Sequence, residues 1–150
     1  MAYDVPQLLQ MSNTDLDNLF SQSLEDFGRF CRQLKGPAIG VYDVGTVGEA
    51  KKYGVVAVDS NGVITQFVEK PAEPPSTLIS IALYFYPKAV VRMIGQYIAE
   101  GNNPDQPGRL VQWLYPRVPV STWRVPGTWF DVGSKETLEE ADKLFVKFLR

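Results

Sequence analysis

Four charged side chains in this sequence stand where chemistry could be done: Asp17, Glu69, Lys70 and Asp131. The chain has no histidine, which removes Ser-His-Asp and Cys-His catalysis, histidine-ligated zinc and an imidazole proton shuttle. Carboxylate, lysine, arginine and tyrosine chemistry remain, with oxygen-ligated metals. Asp131 lies in G-T-W-F-D-V-G-S, at the end of an expected short strand 128–132 and just before a helix. Strand carboxyl ends are where open α/β sheets bind ligands. Gly127 and Gly133 flank this carboxylate, and Ser134 already serves as the helix cap, so Asp131 is a candidate ligand. Asp17, in D-L-D-N-L-F, reads by itself as a loop or cap aspartate. Two carboxylates are a sensible minimum for Mg²⁺, which takes one or two of them plus water and phosphate oxygens.

Glu69 and Lys70 occur in V-E-K-P. Neighbouring strand residues point to opposite faces, so one of these charges enters the core or a cleft unless Pro71 ends the strand and frees Lys70. A lysine at such an end suits a phosphate as a point charge. A solvated strand end is an equally simple reading of the four residues. Gly45, Gly48 and Gly54 do not make a phosphate loop, because no Gly-Lys-Ser/Thr follows them. Residues 45–53 read as a linker. Trp113 and Trp123 read as core, whereas Trp129 neighbours Asp131 and could wall a pocket.

These residues must be positioned by the elements around them. Ser23 begins a helix whose stripe is Phe27, Phe30, Cys31 and Leu34, and Gly36-Pro37 stops it. Strands are expected at 38–44, 54–59, 63–70, 78–86 and 118–125, besides 128–132. Ser60-Asn61-Gly62 between the second and third is a hairpin turn, since Asn-Gly tolerates positive φ. The segment PAEPPST, 71–77, cannot join a central sheet. The apolar run LISIALYFY, 78–86, suits a strand buried on both faces. Val90, Met93, Ile94, Tyr97 and Ile98 mark a helix ending near Gly101, and Asp105 caps a shorter one carrying Leu110, Trp113 and Leu114. A final helix begins at Ser134 with Leu138, Ala141, Phe145 and Phe148 as its stripe. The mixture favours an α/β fold with a mixed sheet flanked by helices, in one domain over 1–150; a small α+β domain is the alternative.

Composition narrows the function. The 150 residues carry 15 basic and 17 acidic side chains, a net charge of −2, which argues against nucleic acid as a partner. No apolar run is long enough to span a membrane, and one cysteine, Cys31, can form no internal disulfide. The expected compartment is cytoplasmic.

The order D-N-L-F, K-Y-G-V-V, V-E-K-P with a proline-rich tail, L-Y-F-Y, G-T-W-F-D-V-G-S and a closing E-E-A helix resembles the sugar-1-phosphate nucleotidyltransferases, nearest to the glucose-1-phosphate thymidylyltransferase group. The likeness runs from about residue 15 to 145 and covers the later half of that family's catalytic domain. The strand and Gly-rich, Arg-containing loop that hold the nucleotide triphosphate have no counterpart here. The resemblance implies a partial nucleotide-diphospho-sugar transferase, Rossmann-like domain that keeps the sugar-phosphate side. It implies Asp17 and Asp131 as Mg²⁺ ligands, and Lys70 as the catalytic contact to the phosphate. Glu69 would accept from sugar hydroxyls, and Gly54, Ala82 and Trp129 would line the sugar site. Two positions depart from the pattern: Leu16 stands where a small residue precedes D-N, and Ala82 where a glycine precedes L-Y. The implied partners are a sugar-1-phosphate and, only with the missing half supplied, a nucleotide triphosphate. A non-catalytic binding or interaction module that kept the half-fold is the competing reading. A half-domain would leave strand 39–43 or 78–86 unpaired on one side, so a homo-oligomer is expected.

Overall fold

The structure, a computed structural model, describes residues 24–127 and 129–145, without the side chains of 144 and 145. Leu16, Asp17, the cap at Ser23, Thr128 and the stripe residues Phe145 and Phe148 lie outside the described residues or side chains. The chain divides into two compact units. One is Phe27–Arg124; the described part of the other is 24–26, 125–127 and 129–145. In chain order the elements are α1 (24–33), β1 (Ala38–Asp43), α2 (Val47–Ala50), β2 (Gly54–Val58), β3 (Ile64–Glu69), β4 (Leu78–Phe85), α3 (Lys88–Ala99), α4 (Pro107–Leu114), β5 (Ser121–Arg124) and α5 (Lys135–Phe145).

The strands form one mixed sheet in the order β3-β2-β4-β1-β5. β1 and β5 run parallel, and every other neighbouring pair is antiparallel. Ile39 and Val41 of β1 join a core of Val56, Phe67, Val90, Val111 and Leu114. Ala38, one residue before Ile39, instead packs with Phe27 and Cys31 of α1. Alternate strand residues face opposite ways, so α1 covers one face of the sheet and α3 with α4 the other. Burial pushes the Cys31 thiol up, against the pull of Arg32, and Cys31 serves as a small apolar side chain.

The β2–β3 hairpin is closed by Asp59, whose Oδ1 accepts from the Asn61 and Val63 amides at 2.8 and 2.9 Å. The positive φ falls on Gly62 alone, at 75°, so the loop has three residues rather than a two-residue Asn-Gly turn. Just beyond it, Val63 bridges Ser121, and the Thr122 amide and hydroxyl both donate to the Gly62 carbonyl, at 2.8 and 2.7 Å. The two outer strands are thereby stitched together at one corner. β1 and β4 each have a neighbour on both sides. β5 pairs with Ala38–Val41 of β1 and so fills most of the open edge expected at 39–43, whereas along 78–86 β2 meets β4 at one register pair.

β4 is not the plain two-face-buried strand its sequence suggests. Leu78 and Ile79 are buried, but Ala82 is exposed. Ile39 pairs with Tyr84 and Val41 with Ser80, so two steps on β1 face four on β4. The excess is a bulge. Ala82 sits in it at φ 60°. The strand opposite admits the bulge at Gly40, where a Cβ would lie 2.9 Å from Leu83 Cβ.

β2 and β4 share a single register pair, Val55 with Ile79. Ser76 supplements it: its hydroxyl donates to the Val56 carbonyl and accepts from the Leu78 amide. Ser76→Ala would leave the carbonyl of a fully buried residue unpaired. We expect it to cost about 1–3 kcal/mol, measured by urea unfolding, with Ser76→Thr keeping most of the stability.

Other expectations are corrected. The linker 45–53 contains α2, capped by Thr46, whose side chain accepts from the Glu49 amide at 3.3 Å. The cap of α4 is Gln106 with Pro107 at the first turn, not Asp105. β5 starts at Ser121 rather than 118, because Arg117 and Val118 still bond back to the Leu114 carbonyl. Of the strand expected over 128–132, residues 129–132 are irregular. Ile98 and Leu138, expected on buried stripes, are 52% and 55% exposed. Ser134 does cap α5, accepting from the Thr137 amide at 3.1 Å. No helix among the described residues is long and apolar enough to cross a membrane.

Candidate functional site

Glu69 is the last residue of β3, and Pro71 prevents the strand from going further. Lys70 therefore leaves the ladder with φ 45°, held by its amide donating to the Tyr53 carbonyl at 3.0 Å. Both charged side chains are exposed at this strand end, and neither enters the core. Lys70 and Ala82 are the non-glycine residues with positive φ among those described. Such a conformation costs about 1–3 kcal/mol and clusters where a site demands it. It is least natural before proline.

The register brings these residues to one margin of the sheet. Gly54 pairs with Glu69, and Val55 with Ile79, so the start of β2, the end of β3 and the bulged stretch of β4 lie side by side. Two glycines make room there for the Glu69 carboxylate. A Cβ on Gly54 would lie 2.9 Å from Glu69 Oε2 and 2.9 Å from Phe67 Cζ. A Cβ on Gly108, in the first turn of α4, would lie 2.7 Å from the same Oε2. The Phe67 ring, 2% exposed, lies against both glycines. Tyr84 belongs to this neighbourhood. Burial pushes its hydroxyl above the usual tyrosine range, Ser80 pulls it back, and the Glu69 charge pushes it further up. Its ring stacks on Tyr86, with centroids 6.1 Å apart. The margin thus offers an acceptor carboxylate and an ammonium on a strained backbone, over a buried Gly54.

Of the expected site residues, Gly54, Glu69 and Lys70 are brought together, and Ala82 lies three residues beyond Ile79, the β4 residue that pairs with Val55. Trp129 and Asp131 belong to the other unit, and Asp17 lies outside the described residues. Asp131 is exposed and sits on the irregular stretch before α5, where a Cβ on Gly133 would be in ordinary contact with its carboxylate. It is an oxygen donor of the kind a hard cation takes. No cluster of three metal-ligating side chains occurs among the described residues.

Gly108, Phe67 and Tyr84 are site residues that sequence reasoning missed. Pro107-Gly108 was a usable signal, because glycine disfavours a helix interior unless something needs the room.

A Bacillus anthracis structure assigned as a glucose-1-phosphate thymidylyltransferase, with sucrose bound, superposes with a TM-score of 0.63 over 80% of this chain and 47% of its own. At 22% identity this is a likeness of fold. A glucose-1-phosphate adenylyltransferase of Thermomicrobium roseum is 32% identical over 100 residues, 63% of this chain and 22% of that protein. A UTP–glucose-1-phosphate uridylyltransferase of Haloferax volcanii is 26% identical over 128 residues, 85% of this chain and 53% of that protein. The chain thus spans about a quarter to a half of the length of these relatives. The nucleotidyl transferase family model matches residues 12–147. With nearly the whole sequence matched and the mixed sheet in place, the chain belongs to the sugar-1-phosphate nucleotidyltransferase family.

Proposed function

We propose that this chain forms the sugar-phosphate side of an enzyme that joins a sugar-1-phosphate to a nucleotide. The observation that carries this is the single margin holding Glu69 over Gly54 and Gly108, with strained Lys70 next in the chain. The Lys70 ammonium contacts the sugar phosphate as a point charge. The Glu69 carboxylate accepts from sugar hydroxyls and fixes the ring. Ala82 is a further proposed substrate contact, and Trp129 stands as one on the family resemblance alone. In the reaction, a phosphate oxygen of the sugar-1-phosphate attacks the α-phosphorus of the nucleotide and pyrophosphate leaves. Positioning and electrostatics suffice for such an in-line displacement, and no histidine is needed. Asp17 and Asp131 are the proposed carboxylates for Mg²⁺, which when bound would neutralise charge on the phosphates. The nucleotide side is left to the segments that the family places ahead of this region. Self-association in the cytoplasm would use the outer sides of β3 and β5, the edges of the sheet.

Titration calorimetry of the chain with glucose-1-phosphate, inorganic phosphate and glucose tests the reading. Glucose-1-phosphate is expected to bind more tightly than either part. Glu69→Gln is expected to weaken it roughly tenfold, the worth of one hydrogen bond to a charged acceptor. With dTTP, glucose-1-phosphate and Mg²⁺, the chain alone should release no pyrophosphate. Absence of glucose-1-phosphate binding would refute the sugar-phosphate role. Pyrophosphate release that vanishes in Asp131→Ala would show a complete enzyme instead of one side of it.

A further inference from the structure

We infer that Gly108 is a positioning residue: its missing side chain lets the Glu69 carboxylate rest on the first turn of α4, in the orientation that receives the sugar. This deepens the sugar-phosphate reading above and rests on it.

The geometry separates Gly108 from the other glycine at the site. A Cβ on Gly54 would strike the buried Phe67 ring at 2.9 Å as well as Glu69, so a side chain there disturbs the core. A Cβ on Gly108 would meet Phe67 no closer than 3.5 Å, an ordinary contact. Its close neighbour is Glu69 Oε2, at 2.7 Å. That atom ends a flexible, exposed side chain, which can swing away at little expense to the fold. The added methyl group would therefore leave the protein folded and move the carboxylate.

The carboxylate also has a reason to rest there. α4 has no side-chain cap at Gln106 and no acidic residue in its first turn. The first amides of a helix favour a nearby negative charge, and Glu69 supplies one from another element. Glycine in a helix is otherwise unfavourable relative to alanine. Its presence inside the first turn, under a carboxylate, is thus accounted for by the room it leaves.

The test combines a ligand-free readout with binding, on the full chain. Nitrogen-resolved NMR at one fixed pH reads the Arg109 backbone amide. In the wild type its position should carry a displacement due to the Glu69 carboxylate. Glu69→Gln removes that response and leaves any due to Asp105, the acid nearby in sequence. Gly108→Ala should abolish it too, with a melting temperature no lower than wild type. Its affinity for glucose-1-phosphate should fall about tenfold, as in Glu69→Gln, and the double variant should be no worse than Glu69→Gln alone. Should Gly108→Ala fail to fold, Glu69→Asp withdraws the carboxylate by one methylene and should lose both the response and the affinity. An Arg109 amide that still follows Glu69 in Gly108→Ala overturns the inference. So does unchanged affinity in Gly108→Ala beside weakened binding in Glu69→Gln, an outcome that leaves the sugar-phosphate reading intact. A wild type that binds no glucose-1-phosphate overturns both.

Discussion

Phe67→Ala is expected to destabilise the protein by about 3–5 kcal/mol, the usual range for removing a buried phenyl ring. The ring is 2% exposed and belongs to the core that joins the sheet to α3 and α4. Beneath the candidate site it also fills the space between Gly54 and Gly108, each within 3.5 Å of the ring when given a Cβ. Loss of the ring therefore opens a cavity under the strand end that holds Glu69. A domain typically has only about 5–15 kcal/mol of stability, so the variant should sit near the unfolding threshold at 37 °C. Phe67→Leu keeps most of the volume and should cost about 1–1.5 kcal/mol. Guanidinium unfolding of the three proteins checks the order. An alanine variant within about 1 kcal/mol of wild type, outside the range for such truncations, would show that this ring is not what the two glycines pack around.

The second large effect concerns Lys70, where stability and binding should move in opposite directions. Its φ of 45° is one that alanine shares the discomfort of and glycine does not. Relief of that strain is worth about 1–2 kcal/mol, against about 0.4–1 kcal/mol for the extra freedom glycine has when unfolded. Lys70→Gly should therefore be more stable than Lys70→Ala by about 0.8 kcal/mol, the difference between the middles of those two ranges. Both remove the ammonium, and both should weaken glucose-1-phosphate by roughly 10- to 100-fold, the worth of a charge-assisted contact of 1.5–3 kcal/mol. Paired denaturation and calorimetry on the two variants give the answer. Equal stabilities would remove the strain from the account of the site, and undiminished binding would remove the ammonium.

Much of the sheet was legible in the residues. Alternation over 54–59 and 63–70, joined by Ser60-Asn61-Gly62, marks β2 and β3 to within a residue or two. Pro71 after Glu69-Lys70 marks where β3 must end, and Ser134 marks the start of α5. The motif order carried the family. What stayed hidden depends on a neighbour that sequence periodicity does not name. The β4 bulge exists because Gly40 on β1 leaves space for Leu83, and nothing within LISIALYFY announces a strand 40 residues earlier. The strand pattern read at 129–132 is irregular in the fold. Exposure of Ile98 and Leu138 likewise depends on which helix faces find something to cover them. At the site, Gly54, Glu69 and Lys70 could be named from the family pattern, whereas Gly108 needed the geometry that lays Glu69 across it.

The stitch between the outer strands bears on the lifetime of the folded state. The Gly62 carbonyl and Thr122 lie 60 positions apart in sequence. Bringing ends that distant together costs about 3.6 kcal/mol of chain entropy on a loop-closure scale, so this contact gains nothing until the strands between are already in place. We expect it to close after the rate-limiting step, and contacts of that kind slow unfolding without hastening folding. The corner where β3 meets β5 would thus set how long the sheet survives once formed, while the local hairpin at Asp59–Val63 governs how readily it begins.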